Sequence, residues 1–163
     1  MALFKSYVLL LECPSLVLKT RSRVFEIPAG VYAYVGSCGS NCCKRVQRHY
    51  SRAKKMFWHI DYLSVECSKL GFYLIEAREP DVALLLATRL KHIPGFGSSD
   101  DRRSPSHLFK VEEELGGLLA ELGAVVVAFA RAEEEREALE ECGKLLEAKS
   151  YNSRSVQRTP QED

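Results

Sequence analysis

Two tyrosines alternate along Gly30-Val31-Tyr32-Ala33-Tyr34-Val35-Gly36-Ser37, and a basic run follows at once. Between Asn41 and Ile60 stand Lys44, Arg45, Arg48, Arg52, Lys54 and Lys55, with no acidic residue among them. Phenol hydroxyls and guanidinium forks are the groups that would surround a phosphate. At helical spacing Arg45, Arg48, His49 and Arg52 share one polar face, while Cys43, Val46, Tyr50 and Ala53 form an apolar one. Such a stripe usually means a solvated helix surface. Here it lacks the interleaved glutamates of an ordinary exposed helix, and the helix begins directly after a glycine loop. Helix N-termini suit phosphate oxygens, so the residues point to phosphate or nucleic-acid binding.

The remaining constellations carry less. Tyr32 and Tyr34, taken singly, read as strand residues with packed rings and wet hydroxyls. His59 and Asp61 share a strand face if Trp58–Leu63 is extended, where they would hold a water or a metal; a buried, hydrogen-bonded histidine is the equal alternative. Glu79 and Asp81 open a helix, a place that favours carboxylates for structural reasons alone. Gly95–Gly97 is no phosphate-cradling loop, because no Lys-Ser/Thr and no immediate helix follow. Ser99, Asp100 and His107 have a hydrolase triad's composition without a nucleophile elbow. Cysteines stand at 13, 38, 42, 43, 67 and 142 with no C-x-x-C pair. Buried thiols are expected. A zinc site built from Cys38, Cys42 and Cys43 with His49 or His59 is the minor alternative, and disulfides would require a hyperthermophile's interior.

Elements that must position these groups follow from pattern. The apolar run Tyr7–Cys13 is a strand stopped by Pro14. Leu16–Lys19 and Arg23–Ile27 are short strands around the turn Thr20–Ser22, and Val31–Val35 is the next strand. Asn41 is a good N-cap for a helix over Cys42–Ala53. Trp58–Leu63 alternates like a strand, although a helical turn fits as well. Phe72–Ala77 reads as a strand, Pro80–Leu90 as a helix with proline in its first turn, and Pro94–Arg103 as a loop. His107–Val111, the helix Glu112–Leu122, the strand Val125–Phe129 and the helix Ala132–Ala148 complete the chain. Ser150–Asp163 has almost no apolar content and is expected to be disordered. Early hairpins and irregular alternation predict an α+β fold.

The 163 residues suffice for one core, and a net charge of +1 excludes a wholly basic, histone-like binder. Because the C-terminal part is acidic, the charge is polarised: one face attracts a polyanion and the other repels it. No segment is apolar for long enough to cross a bilayer, and Met1–Lys5 lacks signal-peptide architecture. The cytoplasm is the expected location.

Ser6-Tyr7-Val8-Leu9, Gly30–Ser37, Arg45–Tyr50, Trp58–Leu63, Pro94–Asp100 and Ser106-His107-Leu108-Phe109 together resemble the GIY-YIG nuclease superfamily. The likeness is to an archaeal branch sometimes fused to endonuclease-III-type glycosylases, and it covers about residues 5 to 110. It implies a small three-stranded antiparallel sheet flanked by helices, with an enlarged first hairpin, to which the pattern adds a C-terminal β-α-β-α extension. Residues 1–110 would be the nuclease-like domain, 111–149 an extension packed on it, and 150–163 a tail.

By this resemblance Tyr7 and Tyr34 are the motif tyrosines, Ser6 replacing a glycine. Arg45 is the family arginine, and His49 occupies the His-or-Tyr position one turn on. Glu79 or Asp81 is the metal carboxylate, for Mg2+ or Mn2+. Tyr32, His59 and Asp61 are possible accessories. The implied reaction is metal-dependent hydrolysis of a phosphodiester in branched, damaged or single-stranded DNA, as in repair or recombination. Lys44, Arg48, Arg52, Lys54 and Lys55 would track flanking phosphates. A non-catalytic nucleic-acid-binding module and a zinc-stabilised interaction domain are the rival expectations.

Overall fold

The computed structural model describes residues 4–158, with side chains described through Lys149. β1 (Ser6–Cys13) is the central strand, and Val8, Leu9 and Leu11 are buried, with Leu10 partly so, because both faces of the sheet are covered. It pairs antiparallel with β4 (Gly30–Ser37) on one side and β5 (Ser68–Ile75) on the other. Between β1 and β4 the chain makes a separate two-stranded hairpin, β2 (Leu16–Lys19) with β3 (Val24–Ile27). This is the enlarged first hairpin that the sequence suggests.

The helix α1 (Cys42–Tyr50) follows β4, then α2 (His59–Ser64) leads into β5 and α3 (Glu79–Ala87) leaves it. β6 (Leu108–Lys110) adds to β4, and after α4 (Leu115–Glu121) the strand β7 (Val127–Arg131) adds to β5. The final helix, α5 (Glu135–Arg158), returns to pack on α1. The protein is α+β. Its main sheet has five antiparallel strands among the described residues, in the order β6-β4-β1-β5-β7. The expected three strands are its centre, and the C-terminal β-α-β-α segment widens the sheet at both edges instead of forming a separate layer.

Alternation along the strands divides the core. Tyr7, Leu9, Tyr34, Phe72 and Leu74 face α1, α2 and α5, while Val8, Ala33, Val35, Tyr73 and Ile75 face α3 and α4. Helix α1 sits on the first face by burying Cys43, Val46 and Tyr50, as its apolar stripe requires. Asn41 caps it, the side-chain oxygen accepting the Lys44 N–H at 3.0 Å. The helix ends at Tyr50, three residues before the expected Ala53.

Two expectations are corrected here. Trp58–Leu63 is helical, not extended, so His59 and Asp61 share no strand face. The cysteines are not free thiols: Cys13–Cys67, Cys38–Cys42 and Cys43–Cys142 are bridged. The last pair ties α1 to α5. Helix α5 also runs to Arg158, into the stretch expected as tail; residues 159–163 lie outside the described residues.

Candidate active site

Tyr7 and Tyr34 lie diagonally across the β1–β4 ladder, because Leu9 pairs with Tyr34 and Tyr7 with Gly36. Their ring centroids are 6.5 Å apart. The glycine is what allows this. A Cβ at Gly36 would collide with the Tyr7 ring, so only a residue without one leaves the ring its place. One turn into α1, Arg45 donates to the Ser37 carbonyl at 3.1 Å, and a further turn on His49 reaches Tyr7, Oη to Nε2 being 2.5 Å. From the start of α3 comes Glu79. All five side chains line one cavity of about 620 Å³.

Burial dominates the electrostatics there. The Tyr7 hydroxyl is pushed well above its ordinary range by burial and by the neighbouring Tyr34, with Glu79 and Asp61 adding and Arg45 opposing. Tyr34 is raised likewise, by burial first and then by Glu79 and Asp61. His49 is lowered to about 3, by burial and then by the cations Lys54, Arg48 and Arg45. The imidazole is therefore neutral, and one of its nitrogens is an acceptor. Its Nδ1 has no hydrogen-bond partner. With the proton on Nδ1, Nε2 accepts the Tyr7 O–H and the phenol lone pairs are left to the cavity. With the proton on Nε2, the bond reverses.

In the same cavity Glu79 belongs to a second cluster that the sequence did not reveal. The buried His107 places Nε2 2.9 Å from Asp101 Oδ2 and Nδ1 3.6 Å from Glu79 Oε1. Burial and the Asp101 charge raise the Glu79 carboxyl, against the pull of His107 and Arg45. Burial alone would raise Asp101 too, but the nearby Ser104 side chain and the hydrogen bonds from His107 and the Arg103 N–H hold it below its ordinary value. Asp81 points elsewhere. It is exposed and lies 3.7 Å from Arg103.

The geometry therefore selects Glu79 from the two candidate carboxylates. Among the described residues no group of three His, Cys, Asp or Glu side chains is arranged to hold a metal. One half-buried carboxylate beside a cavity with room for a phosphate group still fits Mg2+ or Mn2+, which keep most of their waters and take the rest of their ligands from phosphate oxygens. A cation there would also relieve the repulsion between Glu79 and Asp101.

Several expected contacts are reassigned. Arg48 lines the cavity, but its guanidinium is engaged by the fully buried Asp61 at 2.9 Å and by the Lys55 carbonyl at 2.7 Å. Asp61 Oδ2 also accepts the Phe57 and Trp58 N–H groups, each at 2.9 Å. Burial would raise this carboxyl, yet those bonds outweigh burial and hold it low. Asp61 is thus the capping and anchoring acid of α2, outside the cavity lining. Lys54 is no phosphate contact either. Its ammonium caps α1, donating to the Arg48 carbonyl at 3.1 Å and to Ser64 Oγ at 2.5 Å, and burial lowers it to about 8.

Tyr32 is fully buried and donates to the Pro28 carbonyl at 2.6 Å. His59 accepts the Gly97 N–H at 3.0 Å and packs against Phe25 and Phe96. Neither borders the cavity. Lys44, Arg52 and Lys55 are exposed, and of these Lys55 is at the cavity. Asp100 and His107 line the cavity while Ser99 does not, which leaves the triad-like composition without its serine. Cys38, Cys42 and Cys43 are committed to two different bridges, so a zinc site would need both opened.

Fold and site together define an α+β protein with a cavity lined by tyrosines, cations and carboxylates. Residues 6–128, about three quarters of the chain, match the family described as Domain of unknown function DUF123, and the chain belongs to that family. No curated protein and no solved structure matches it.

Proposed function

We propose that the protein is a metal-dependent endonuclease that hydrolyses DNA phosphodiester bonds. One observation carries the reading: Tyr7, Tyr34, Arg45, His49 and Glu79, drawn from four elements, converge on one cavity. The resemblance to GIY-YIG nucleases points to the first four and to Glu79 or Asp81 as the fifth. Arg45 and Glu79 line the same cavity as the two tyrosines, which suits an anion held between a guanidinium and a metal-bound acid.

In the reaction a water oxygen attacks phosphorus and the bond to the leaving oxygen breaks. Both phenols are held neutral by burial, so neither serves as a standing phenolate. Tyr7 instead acts through His49. As the water proton passes to Tyr7 Oη, the phenol proton passes to His49 Nε2, in the tautomer whose Nδ1 carries hydrogen. The weak proton affinity of His49 is raised while the negative pentacovalent phosphate stands beside it, and the proton then returns to solvent. Arg45 stabilises that phosphate, and Tyr34 orients the water or a phosphate oxygen through its hydroxyl. A divalent cation at Glu79, when bound, neutralises charge on the phosphate and the leaving oxygen; the latter takes its proton from solvent.

With three disulfides, action in the cytoplasm fits a hyperthermophile's interior, where such bridges persist. Among the described residues no helix is long and apolar enough to cross a membrane.

The test is nicking of branched and single-stranded DNA with Mn2+, comparing wild type with Arg45→Ala and Tyr34→Phe. Loss of cutting in both variants is expected, about 10²–10³-fold for the arginine. Equal activity in all three proteins would sink the proposal.

A further inference from the structure

Phe57 and Trp58 are 60% and 53% exposed, and they border the cavity as an edge-to-face pair, ring centroids 4.6 Å apart and planes at 82°, so that a base stacks on the open face of one ring against the edge of the other. Large aromatics left in water forgo a substantial burial gain, so a pair of them at a binding cavity calls for a ligand. Their support is unusual as well. The buried carboxylate of Asp61 binds the backbone N–H groups of both residues, and Arg48 joins it to the Lys55 carbonyl. An ion pair with its acid fully buried thus fixes a short exposed segment, and it leaves the two rings and the Lys55 side chain exposed at the cavity that Arg45 also lines.

We propose that residues 55–58 form a stacking platform for an unpaired nucleobase of the DNA strand whose phosphate enters the cavity. This rests on the nucleic-acid reading of the site. The chemistry of the rim selects the occupant. A flat π-face suits the rings, and a polyanionic chain attached to it suits Lys55 and Arg45. A cavity of about 620 Å³ has room for a nucleotide unit and not merely for a phosphate. A base inside a duplex has both faces covered by its neighbours. Only a single-stranded, frayed or extruded nucleotide can offer a face to Phe57 or Trp58. The platform therefore directs the site to unpaired DNA beside the phosphate that is cut.

Trp58 is the chain's sole tryptophan, so its fluorescence reports on the platform alone. The experiment titrates the full chain with short oligothymidylate in EDTA, so that binding is read without cleavage, and repeats it with a blunt duplex. Labelled oligothymidylate is then bound to wild type, Phe57→Ala, Trp58→Ala and the conservative Trp58→Phe. The single strand should quench Trp58 and the duplex should not. Either alanine should weaken single-strand binding about five-fold to a hundred-fold, and Trp58→Phe should restore most of it.

Absence of quenching by the single strand, equal quenching by the duplex, or alanine variants that bind like wild type would each overturn the platform. Quenching in a protein that never nicks DNA would leave the platform standing and remove the nuclease. Nicking without quenching would do the reverse. Both residues are exposed, so the variants are expected to fold, and thermal melts check this.

Discussion

Replacing Asp61 by alanine removes an acceptor that holds three donors at once. Two are backbone N–H groups, of Phe57 and Trp58, and the third is the Arg48 guanidinium. Breaking a fully buried ion pair from one side costs about 3–5 kcal/mol. Asp61 is fully buried, but the Arg48 side chain is 37% exposed and water can replace part of what it loses. The two N–H groups belong to exposed residues and are also partly rehydrated. Discounting for this leaves about 2–3 kcal/mol. For a domain of this size that lowers Tm by about 4–12 °C.

Urea unfolding with the disulfides intact is the assay, since bridged small proteins can still unfold in two states. The pH dependence adds a second reading. The Asp61 carboxyl is held low in the fold, so its contribution is complete above the unfolded value of ~3.9 and is lost as pH falls through the folded one. Asp61→Asn, which keeps the shape and one acceptor oxygen, should therefore flatten the acid limb. A loss below about 0.5 kcal/mol for the alanine variant, typical of a neutral surface change, would refute the anchoring role.

Other consequences follow from burial and packing. His49 titrates near 3 when folded and near ~6.5 when unfolded, so the unfolded chain binds the extra proton between these values and stability falls as pH falls through them. His49→Gln should lose less stability between neutral pH and pH ~4.5 than wild type does; parallel denaturation curves would contradict the buried neutral ring. Gly36→Ala drives a methyl group into the Tyr7 ring, so it should reduce nicking far more than it changes DNA affinity; unimpaired cutting would show that Tyr7 need not sit where it does. The Cys43–Cys142 bridge spans 99 residues of sequence and ties α1 to α5. Replacing both cysteines by alanine should cost about 2–4 kcal/mol in denaturant unfolding, and an unchanged midpoint would show that α5 is held by its apolar contacts alone.

Much of the architecture could be read locally. The strands β1 and β4, the Asn41 cap and the apolar stripe of α1 are all set by residues within a few positions of one another, and the structure has them where the pattern predicts. The cavity's central residues were also legible, because Tyr7, Tyr34, Arg45 and His49 recur in the order that a resemblance can recognise. What failed depended on partners distant in sequence. Arg48 and Lys54 look like free cations until Asp61 and Ser64 are brought against them from α2.

The element carrying Asp61 stays open in the sequence, because six residues cannot distinguish a helical turn from an alternating strand. The deciding feature, a carboxylate three residues after Trp58 accepting its N–H, was visible as a helix-start signal. Asp101 gave only a loop signature and His107 stood at the start of a short strand, and their union with Glu79 needs the sheet to carry β6 beside β4. The cysteine pairs were not legible at all: their sequence separations run from 4 to 99, and no local pattern encodes such connectivity.

The central claim, that the Tyr7 hydroxyl and the Glu79 carboxylate act on one phosphate, is tested most directly by single-turnover nicking of a saturating DNA substrate with Mn2+. Tyr7→Phe and Glu79→Gln are compared with wild type, and Kd for the same DNA is measured alongside. The account predicts that each variant folds and binds DNA like wild type while its cutting rate falls, by about 10²–10⁴-fold for the tyrosine. Variants that cut at the wild-type rate would contradict it.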